Sequence, residues 1–419
     1  MKKVSFLVLF VALVCPSFGT DFDLISHFKK KANEYFDEAV QLRRHLHQYP
    51  ELCFQEKQTS AFVANYLTKL GLDVQTGIAG VGIKAILRGT KKKPVVAIRA
   101  EMDALPISEE TGFPYSSKNK GKMHACGHDA HMTHVLITAK ILSEIREKIP
   151  GTVVFIFQPC EEGPPPNQPG GAELMIQEGA LKNPTVNAML GLHVFPDIPV
   201  GCIGLRKGPI MANVASFYIN IYGKSSHGAF PHQGIDAIYV ACCAIQQFQS
   251  LISRLRDPTE PAVLSVGKIG GGVRVNVIAE KVELEGTVRT FSFEFQDKIY
   301  RGMKNILEGL STAYGTTYRF IFSKDAPYVK NDESLTGFLI PVFKKILGET
   351  QVLDVKPMSI GEDFSYYSHR IPSVFFFLGI GDKPPLHTPS FTVDERIFKI
   401  APVLFASAAI HYLNNYSRK

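Results

Sequence analysis

The first part of the chain alternates short apolar runs with longer segments in which apolar residues recur at helical spacing. Continuously apolar runs of strand length predict buried β-strands at residues 94–100, 152–158, 186–192 and 373–379. Between the first two runs, a helix is predicted over residues 131–148, because apolar side chains recur on one face at Val135, Leu136, Ala139, Leu142 and Ile145. Helices are also expected within residues 37–70. Strands that alternate with helices indicate an α/β domain with a mainly parallel sheet.

A different order of elements begins near Gly208 and Pro209. The pattern there predicts a strand, a helix, two strands, a helix and a strand, at residues 214–222, 235–251, 262–268, 282–290, 295–314 and 318–322. This β-α-β-β-α-β order is typical of a ferredoxin-like α+β domain. Residues 282–289 alternate between apolar and polar side chains, so one face of this sheet is expected to be exposed or covered by a partner.

The elements of the larger domain resume after this segment, with a helix predicted at residues 335–346 and the strand at 373–379. The sequence therefore predicts one domain inserted into another. The larger domain comprises residues 20–209 and 326–419, and the inserted domain comprises residues 210–325.

Residues 1–19 have the pattern of a secretory signal peptide and not of a folded element. Two lysines precede an apolar core at Val4–Val14, which is too short to cross a bilayer comfortably. Ser17 and Gly19 supply the small residues that precede a cleavage after Gly19. We therefore expect a secreted or periplasmic protein; a retained anchor is the weaker alternative. No later run is expected to span a membrane.

Charge and cysteine content argue against two other classes of protein. The formal net charge of +7 is dispersed, apart from Lys91–Lys93 in a predicted strand connection, so nucleic-acid binding is not expected. Cysteines after residue 20 are too sparse for a disulfide scaffold; they are Cys53, Cys126, Cys160, Cys202, Cys242 and Cys243. The last two lie in an apolar helical stretch and are expected to be core thiols.

The segment Met123–His131 concentrates potential metal ligands. Its sequence, Met-His-Ala-Cys-Gly-His-Asp-Ala-His, combines a thiol, imidazoles and an acid. Thiolate and imidazole together suit Zn or a similar first-row divalent ion. Gly127 allows a tight turn between Cys126 and His128. For a lone Cys-x-His pair, a helix N-terminus with solvated histidines would be the better interpretation.

Further candidate ligands follow the predicted strands. Glu161 and Glu162 follow one run, His193 follows another, and His387 lies in the loop after the last. Asp103 follows the first run, where a cap or turn role is the alternative. Ligands gather at the carboxyl ends of strands in open α/β sheets, so these side chains are expected to converge on one crevice.

The motifs resemble, in their order, one family over nearly the whole chain. They are Glu-Met-Asp-Ala-Leu-Pro at 101–106, the segment at 123–131, Gln-Pro-Cys-Glu-Glu-Gly at 158–163, Gly-Leu-His-Val at 191–194, Ser-Ser-His-Gly-Ala-Phe-Pro-His at 225–232, Gly-Glu-Asp-Phe at 361–364 and Leu-His-Thr-Pro at 386–389. The family is that of the dinuclear metal amidohydrolases, which include aminoacylases and zinc carboxypeptidases. The Cys-Gly-His-Asp-x-His form resembles the branch of hippurate hydrolases and auxin-conjugate (IAA-amino acid) hydrolases. This resemblance implies a metallopeptidase-like catalytic domain with an inserted ferredoxin-like dimerisation domain.

The resemblance assigns the metal ligands, a set that the chemistry of the residues can also supply: Cys126, His128, Glu162, His193 and His387. About five ligands serve two divalent ions, which we expect to be Zn, Mn or Co, when one ligand bridges them. Related branches bridge with an Asp, so the Cys126 thiolate is the candidate bridge here. The ions would activate a water molecule and polarise a carbonyl. By resemblance Glu161 is the general base, and Asp103 could orient a ligand histidine.

The inserted domain supplies the remaining candidates. His227 corresponds by resemblance to a histidine that reaches an active site, often across a dimer interface, and holds the oxyanion. Asn276 and Arg289 could hold a free carboxylate of the substrate; a hairpin asparagine and a solvated arginine are the alternatives. A homodimer through the inserted domain is therefore expected.

Four other polar residues have simpler interpretations. His45 and His47 are expected to be solvated or capping residues, with a role as metal ligands as the alternative. Asp129 and His131 are expected to begin a helix or to lie behind the ligands.

Together these features predict a metal-dependent amidohydrolase. Its substrate is expected to be a small-molecule N-acyl amino acid, hippurate-like or a similar conjugate, which is cleaved to a carboxylic acid and a free amino acid. A metallo-carboxypeptidase or dipeptidase is one alternative. A homologue that binds metal or substrate without catalysis is another, although Glu161 argues against it because binding alone needs no free carboxylate beside a ligand.

Overall fold

The computed structural model describes residues 21–164 and 168–415. The helices are α1 Asp21–Glu34, α2 Phe36–Gln48, α3 Lys57–Lys69, α4 His128–Glu144, α5 Gly171–Gln177, α6 Ala237–Arg254, α7 Phe293–Tyr314, α8 Glu333–Leu347, α9 Ser365–Ser368 and α10 Ala401–Asn415. The strands are β1 Asp73–Ile78, β2 Gly82–Arg88, β3 Val95–Glu101, β4 Thr152–Gln158, β5 Ala188–Phe195, β6 Ile203–Leu205, β7 Gly208–Met211, β8 Asn213–Tyr222, β9 Val263–Gly271, β10 Lys281–Thr290, β11 Thr317–Ala326, β12 Val329–Asn331, β13 Val352–Asp354 and β14 Ser373–Gly379. The signal peptide predicted at residues 1–19 lies outside the described residues.

An eight-stranded sheet organises the larger domain, in the order β1-β2-β4-β3-β5-β14-β6-β13. Its central strands β4, β3, β5 and β14 are parallel, which confirms the predicted α/β core. The pairs β1–β2, β2–β4 and β14–β6 are antiparallel, so the sheet as a whole is mixed. The short turn between β1 and β2 accounts for one of these pairs, because only antiparallel neighbours can be joined by so few residues.

Helices cover both faces of this sheet, which explains why the central strands read as continuous apolar runs. Strands β3, β4 and β14 are buried along their whole length. One apolar cluster joins the sheet to α1–α4, α8 and α10, and a second joins its other face to α5 and α9. The carboxyl ends of the parallel strands therefore open onto the same edge of a well-packed layer.

The inserted segment forms a separate four-stranded antiparallel sheet in the order β11-β8-β10-β9. Helices α6 and α7 pack against one face of it. Asp236 and Ser292 begin these helices by accepting hydrogen bonds from backbone N–H groups of the first turn. This arrangement confirms the predicted ferredoxin-like architecture. The other face leaves Tyr218, Tyr222 and Ile321 exposed.

Two predicted element boundaries were wrong near candidate ligands. Helix α4 begins at His128 and not at His131, and it ends at Glu144 before a 3-10 turn at Arg146–Lys148. Strand β5 continues through His193 to Phe195, because β14 pairs with it along this length. His193 therefore projects from within a strand and does not follow its end.

The cysteines also differ from the prediction. Cys242 is exposed and Cys243 is half-buried. Helix α6 turns Val240, Ala241 and Ala244 toward the sheet, so the helical period directs Cys242 outward. Cys53 and Cys160 form a disulfide that spacing alone did not indicate.

One described helical stretch, Glu395–Asn415, has the length and mean hydropathy, 1.3, of a possible membrane span. Since 72% of its apolar 18-residue window is buried within the protein, it also has the character of a core helix.

Candidate metal centre

The turn before α4 places the buried side chains of Cys126 and His128 beside strand β5. Gly127 has a left-handed backbone, with φ 90°. A β-carbon at this position would collide with the side chain of Val194 on β5. Glycine is therefore required both by the conformation and by the close approach of the strand. The turn lets both ligand candidates face β5, which carries His193.

Cys126 lies at the centre of the candidate ligands. Its sulfur is 3.3 Å from Nε2 of His193 and 3.2 Å from Nε2 of His387. Nε2 of His387 is also 3.3 Å from Oε1 of Glu162. Two groups of possible metal ligands share the thiol: Cys126 with His128 and His193, and Cys126 with Glu162 and His387. Within each group, the ligand atoms lie within 4.8 Å of one another. The structure thus brings together all five predicted ligands.

The hydrogen bonds of the histidines suit metal binding. Nδ1 of His128 is 2.8 Å from the carbonyl oxygen of Asp103, and Nδ1 of His193 is 2.6 Å from that of Val194. A ring that donates from Nδ1 presents an unprotonated Nε2, the form that binds metals. Nε2 of His128 is buried without a hydrogen-bond partner among the described residues. Such an atom is costly unless an ion satisfies it, so these residues fit a divalent metal.

The centre is an anionic site in which Cys126, His128 and His193 are buried and His387 is half-exposed. Burial, with the two glutamates adding to it, raises the pKa of Cys126 well above its usual value. Burial alone would lower the pKa of His128, but the adjacent Asp103 raises it to about 9. Burial next to His128 lowers the pKa of His193 to about 4. A bound cation would favour the thiolate and the neutral imidazoles, which are the ligand forms.

Glu161 and Glu162 diverge, as the sequence predicted for consecutive residues. Oε1 of Glu162 faces His387, whereas Oε1 of Glu161 accepts a hydrogen bond from the backbone N–H of Asp363 at 3.4 Å. Burial, together with the nearby Glu362, raises the pKa of Glu161 well above its usual value. Burial opposes ionisation of Glu162 too, but the hydrogen bond with His387 lowers the pKa of Glu162. The two carboxylates therefore occupy different electrostatic environments.

Asp103 lies behind two of the candidate ligands. Its Oδ2 accepts a hydrogen bond from the backbone N–H of Glu162 at 3.0 Å. Its Oδ1 is 3.4 Å from Nδ1 of His128. Although burial opposes ionisation, these neighbours keep the pKa of Asp103 below its usual value. Asp103 is therefore placed to orient His128 and the Glu162 backbone together.

A buried charge cluster supports the centre, and sequence reasoning did not find it. Arg99 contacts the carboxylates of Glu101, Glu362 and Asp363 and is fully buried. Glu101 in turn lies 2.7 Å from Nδ1 of His131. An arginine within an otherwise apolar strand was the available signal, because such a charge needs buried partners. The cluster therefore connects the Gly-Glu-Asp-Phe segment at 361–364 to strand β3.

The interpretation of His47 as solvated or capping was wrong. His47 is buried, with Nδ1 2.7 Å from Oδ2 of Asp129 and Nε2 3.2 Å from Oε1 of Glu109. Arg43 reaches the same oxygen of Asp129 at 2.8 Å. These contacts tie α2 to the first turn of α4, next to His128. Helix α2 is amphipathic, and packing against α4 turns both His47 and Arg43 inward.

The candidate substrate-binding residues of the inserted domain lie at two opposite ends of strand β10. Gly228 N–H donates to the carbonyl oxygen of Asn276 at 2.8 Å, so the loops of His227 and Asn276 are adjacent. Ala229 N–H donates to Nδ1 of His227 at 3.0 Å, which leaves Nε2–H as the free donor of a neutral ring. Arg289 lies at the opposite end of β10, a strand of 10 residues. This length corresponds to roughly 30 Å.

Arg289 is at the end that faces the larger domain. Its neighbour across the sheet is Val214, whose side chain packs against Gly361 beside Glu362. The half-buried guanidinium contacts Thr287 and the carbonyl oxygen of Val288 at 3.2 Å. Within one chain, therefore, Asn276 and Arg289 cannot hold the same carboxylate.

An α/β domain with a buried Cys-His-Glu ligand cluster, a second glutamate beside it and an inserted ferredoxin-like domain defines the class of metal-dependent amidohydrolases. Residues 97–411 match the family described as "Peptidase family M20/M25/M40". N-acetyl-L-cysteine deacetylase of Bacillus subtilis (strain 168) is 40% identical over 88% of this chain and 87% of its own length. IAA-amino acid hydrolase ILR1-like 4 of Arabidopsis thaliana is 38% identical over 91% of this chain and 87% of its own.

A solved structure of an M20 family member also resembles this chain. The YXEP protein of Bacillus subtilis, described as a dinuclear metal binding peptidase from the M20 family, superposes with a TM-score of 0.80 and 35% identity. The match covers 91% of this chain and 99% of that one. This protein belongs to the M20/M25/M40 peptidase family, and it is a metal-dependent amidohydrolase.

Proposed function

We propose that this protein hydrolyses the amide bond of small N-acyl amino acids, releasing a carboxylic acid and a free amino acid. One observation carries the proposal: two groups of candidate ligands share Cys126, and Glu161 belongs to neither of them. Its carboxylate lies 3.9 Å from Nε2 of His128 and takes part in two other acidic groups, one with His128 and Glu162 and one with Glu362 and Asp363. The deacetylase and the IAA-amino acid hydrolase that resemble this chain are named for amide substrates of this kind.

The ligand assignment follows from the shared thiol. Cys126 would bridge two divalent ions, His128 and His193 would complete one position, and Glu162 and His387 would complete the other. When bound, the ions supply a Lewis acid for the substrate carbonyl and lower the pKa of the attacking water. Zn, Mn and Co are all compatible with this mixed set of ligands.

Glu161 is the proposed general base and general acid of the reaction. Its carboxylate would accept a proton from the attacking water and deliver it to the leaving nitrogen, so that the amine departs neutral. The buried surroundings that raise the pKa of Glu161 also help it to hold that proton between the two steps. Two divalent cations nearby would lower the same pKa and leave Glu161 ionised before the reaction.

The oxyanion and the carboxylate of the substrate need residues from two chains. Strand β10 separates His227 and Asn276 from the end of the inserted domain that faces its own metal centre. We therefore assign His227 and Asn276 to the site of a partner subunit, where Nε2–H of His227 donates to the carbonyl oxygen of the substrate. Arg289 serves the site of its own chain and would pair with the substrate carboxylate.

The edge of the inserted sheet supports a homodimer. Strand β9 pairs only with β10 and leaves its other side open among the described strands. Val263 and Ile269 on this strand are exposed, as are Ile238 and Tyr239 on α6. An open edge with apolar neighbours favours pairing with a second copy about a two-fold axis.

A disulfide bond supports a secreted or periplasmic location for this protein. The disulfide between Cys53 and Cys160 is typical of oxidising compartments. The lysines and apolar core at residues 1–19 remain the basis for a cleaved signal peptide.

The test is turnover by the metal-free protein after it has been loaded separately with Zn, Mn or Co. The panel contains aromatic and aliphatic N-acyl amino acids, the matching methyl esters that lack the free carboxylate, and dipeptides. We expect hydrolysis of the free acids and weak or no hydrolysis of the esters at the amide bond. Preference for dipeptides would instead favour a dipeptidase. Binding of acyl amino acids without turnover in any metal form would favour a binding protein.

A further inference from the structure

The disulfide joins the turn between α2 and α3 to the backbone segment at residues 160–162, which we call the Glu161–Glu162 corner. Cys53 lies in the turn between α2 and α3, and Cys160 immediately precedes Glu161 and Glu162. The two cysteines are 107 positions apart. The bond therefore anchors the segment that carries both the proposed base and a proposed ligand to a part of the chain that contributes no ligand.

The backbone at the corner needs such an anchor. Cys160 has φ 51°, in the left-handed region that residues other than glycine seldom occupy. A conformation of this kind persists only where surrounding contacts impose it. Two of these contacts are hydrogen bonds: Cys160 N–H donates to Oε1 of Glu56 at 2.9 Å, and Gly171 N–H donates to the carbonyl oxygen of Cys160 at 3.0 Å. The third is the disulfide.

Glu56 and Cys53 belong to the same turn, so covalent and hydrogen-bonding restraints act from one place. The Glu56 side chain is fully buried beneath the corner. The turn is itself held to the strand extension of Asp103, since Ala104 N–H donates to the carbonyl oxygen of Glu51 at 2.8 Å. Asp103 then holds the Glu162 N–H. The corner is thus held at both ends by one connected unit.

We propose that the Cys53–Cys160 disulfide and Glu56 together position the Glu161–Glu162 corner, so that metal affinity depends on the redox state of this cysteine pair. This inference rests on the proposed metal centre. Neither Cys53 nor Glu56 belongs to the candidate ligand groups, so both are positioning residues.

The redox step is a simple two-electron exchange with an external thiol or phosphine. With a phosphine, the S–S bond breaks, the two sulfurs gain two electrons and two protons, and the phosphine takes oxygen from water to become its oxide. The two separate thiols then no longer restrain the φ angle of Cys160. When this backbone relaxes, the carboxylates of Glu161 and Glu162 both change direction. Loss of groups that orient a ligand typically weakens metal binding by about 10–100-fold.

The experiment measures Zn affinity of the metal-free, full-length protein against a chromophoric chelator. Wild type is compared before and after reduction with a phosphine, which is removed under nitrogen before the titration. We expect binding in the reduced protein to be weaker by at least about tenfold. In the Co-loaded protein, the sulfur-to-metal absorption band of Cys126 should weaken in parallel, which a general loss of activity would not report.

Matched variants separate positioning from folding. The double variant Cys53→Ser/Cys160→Ser should bind Zn as weakly as reduced wild type and should not respond to the phosphine. Glu56→Ala should weaken binding, whereas Glu56→Gln should restore most of it, because the amide oxygen can still accept from Cys160 N–H. Circular dichroism confirms that each protein is folded, and reduction of wild type tests the proposal without any substitution.

The outcomes distinguish failure of the positioning role of the disulfide from failure of the proposed metal centre. Equal Zn affinity in oxidised and reduced wild type would overturn the positioning role of the disulfide while leaving the metal centre intact. Absence of Zn binding in both states would overturn the proposed centre, and the positioning role with it.

Discussion

The sulfur of Cys126 lies 3.2 Å from Nε2 of His387, although 261 positions separate the two residues in the chain. The same sulfur belongs to the candidate group that contains His193. A single thiol therefore connects the first turn of α4, strand β5 and the loop after β14. Replacement of this thiol should affect the metal centre more widely than replacement of any one histidine.

Substitution Cys126→Ala is expected to remove most of both metal ions. A bridging ligand serves both positions, so bound metal should fall from about two ions per subunit to well below one. His193→Ala should remove mainly one ion, because His193 belongs to one of the two groups. Elemental analysis of purified proteins measures the difference. A Cys126→Ala protein that keeps its full metal content would exclude the thiol as a ligand.

Glu161→Gln is expected to lower kcat by about 10²–10⁴-fold, because the amide cannot accept the proton from water. Metal content should stay at the wild-type value, since Glu161 lies outside both groups that share Cys126. Glu162→Gln is the matched control and should lose metal as well as activity. Parallel loss of metal and turnover in Glu161→Gln would contradict the assignment of Glu161 as base.

Mixed dimers test the assignment of His227 to the partner's site. His227→Ala and Glu161→Gln should each be nearly inactive alone. After dissociation and reassociation together, half of the dimers are hybrids with one complete site, so activity should recover to roughly a quarter of wild type. Hybrid formation is checked with two different affinity tags. If confirmed hybrids stay inactive, His227 does not act across the interface.

Asp129→Ala is expected to lower the free energy of unfolding by about 3–5 kcal/mol, because it leaves the buried Arg43 without its carboxylate. The exposed pair Arg88–Asp73 provides the control, and Asp73→Ala should cost only about 0–1 kcal/mol. Denaturant titration at neutral pH, with metal removed from all proteins, measures both. A small effect of Asp129→Ala would show that Arg43 finds another partner.

Glu109 should make stability depend on acid pH. Burial opposes its ionisation, but hydrogen bonds from His47, Thr111 and the Ser117 N–H lower the pKa of Glu109 to about 2. A carboxylate with a depressed folded-state pKa stabilises the protein above its unfolded-state pKa, and this contribution is lost as pH falls toward the folded-state value.

The advantage of wild type over Glu109→Gln in free energy of unfolding should therefore shrink by about 1–2 kcal/mol between pH 6 and pH 3. The exposed Glu147→Gln serves as control, and its difference from wild type should change less. Urea titrations of the three proteins at several pH values supply the comparison. An advantage that does not vary with pH would mean that Glu109 acts through packing.

Much of the fold was predictable because its signals are local. Runs such as 152–158 are apolar throughout, and only a strand covered on both faces makes every residue of such a run a core residue. The period of residues 282–289 similarly identified a strand with one open face. The ligand motifs were also local, and Cys126, His128 and Glu162 could be chosen from residue chemistry and resemblance.

The sequence alone therefore determined the types of element, the order of elements that predicts an inserted domain, and the choice of candidate ligands. Only the tertiary structure decided which residues meet. The disulfide from Cys53 to Cys160, the burial of His47 and the separation of Asn276 from Arg289 all depend on strand order and helix packing. The physical reason is that periodicity along the chain reports which face of an element is buried, whereas contacts between distant residues are set by how elements are arranged around a common core.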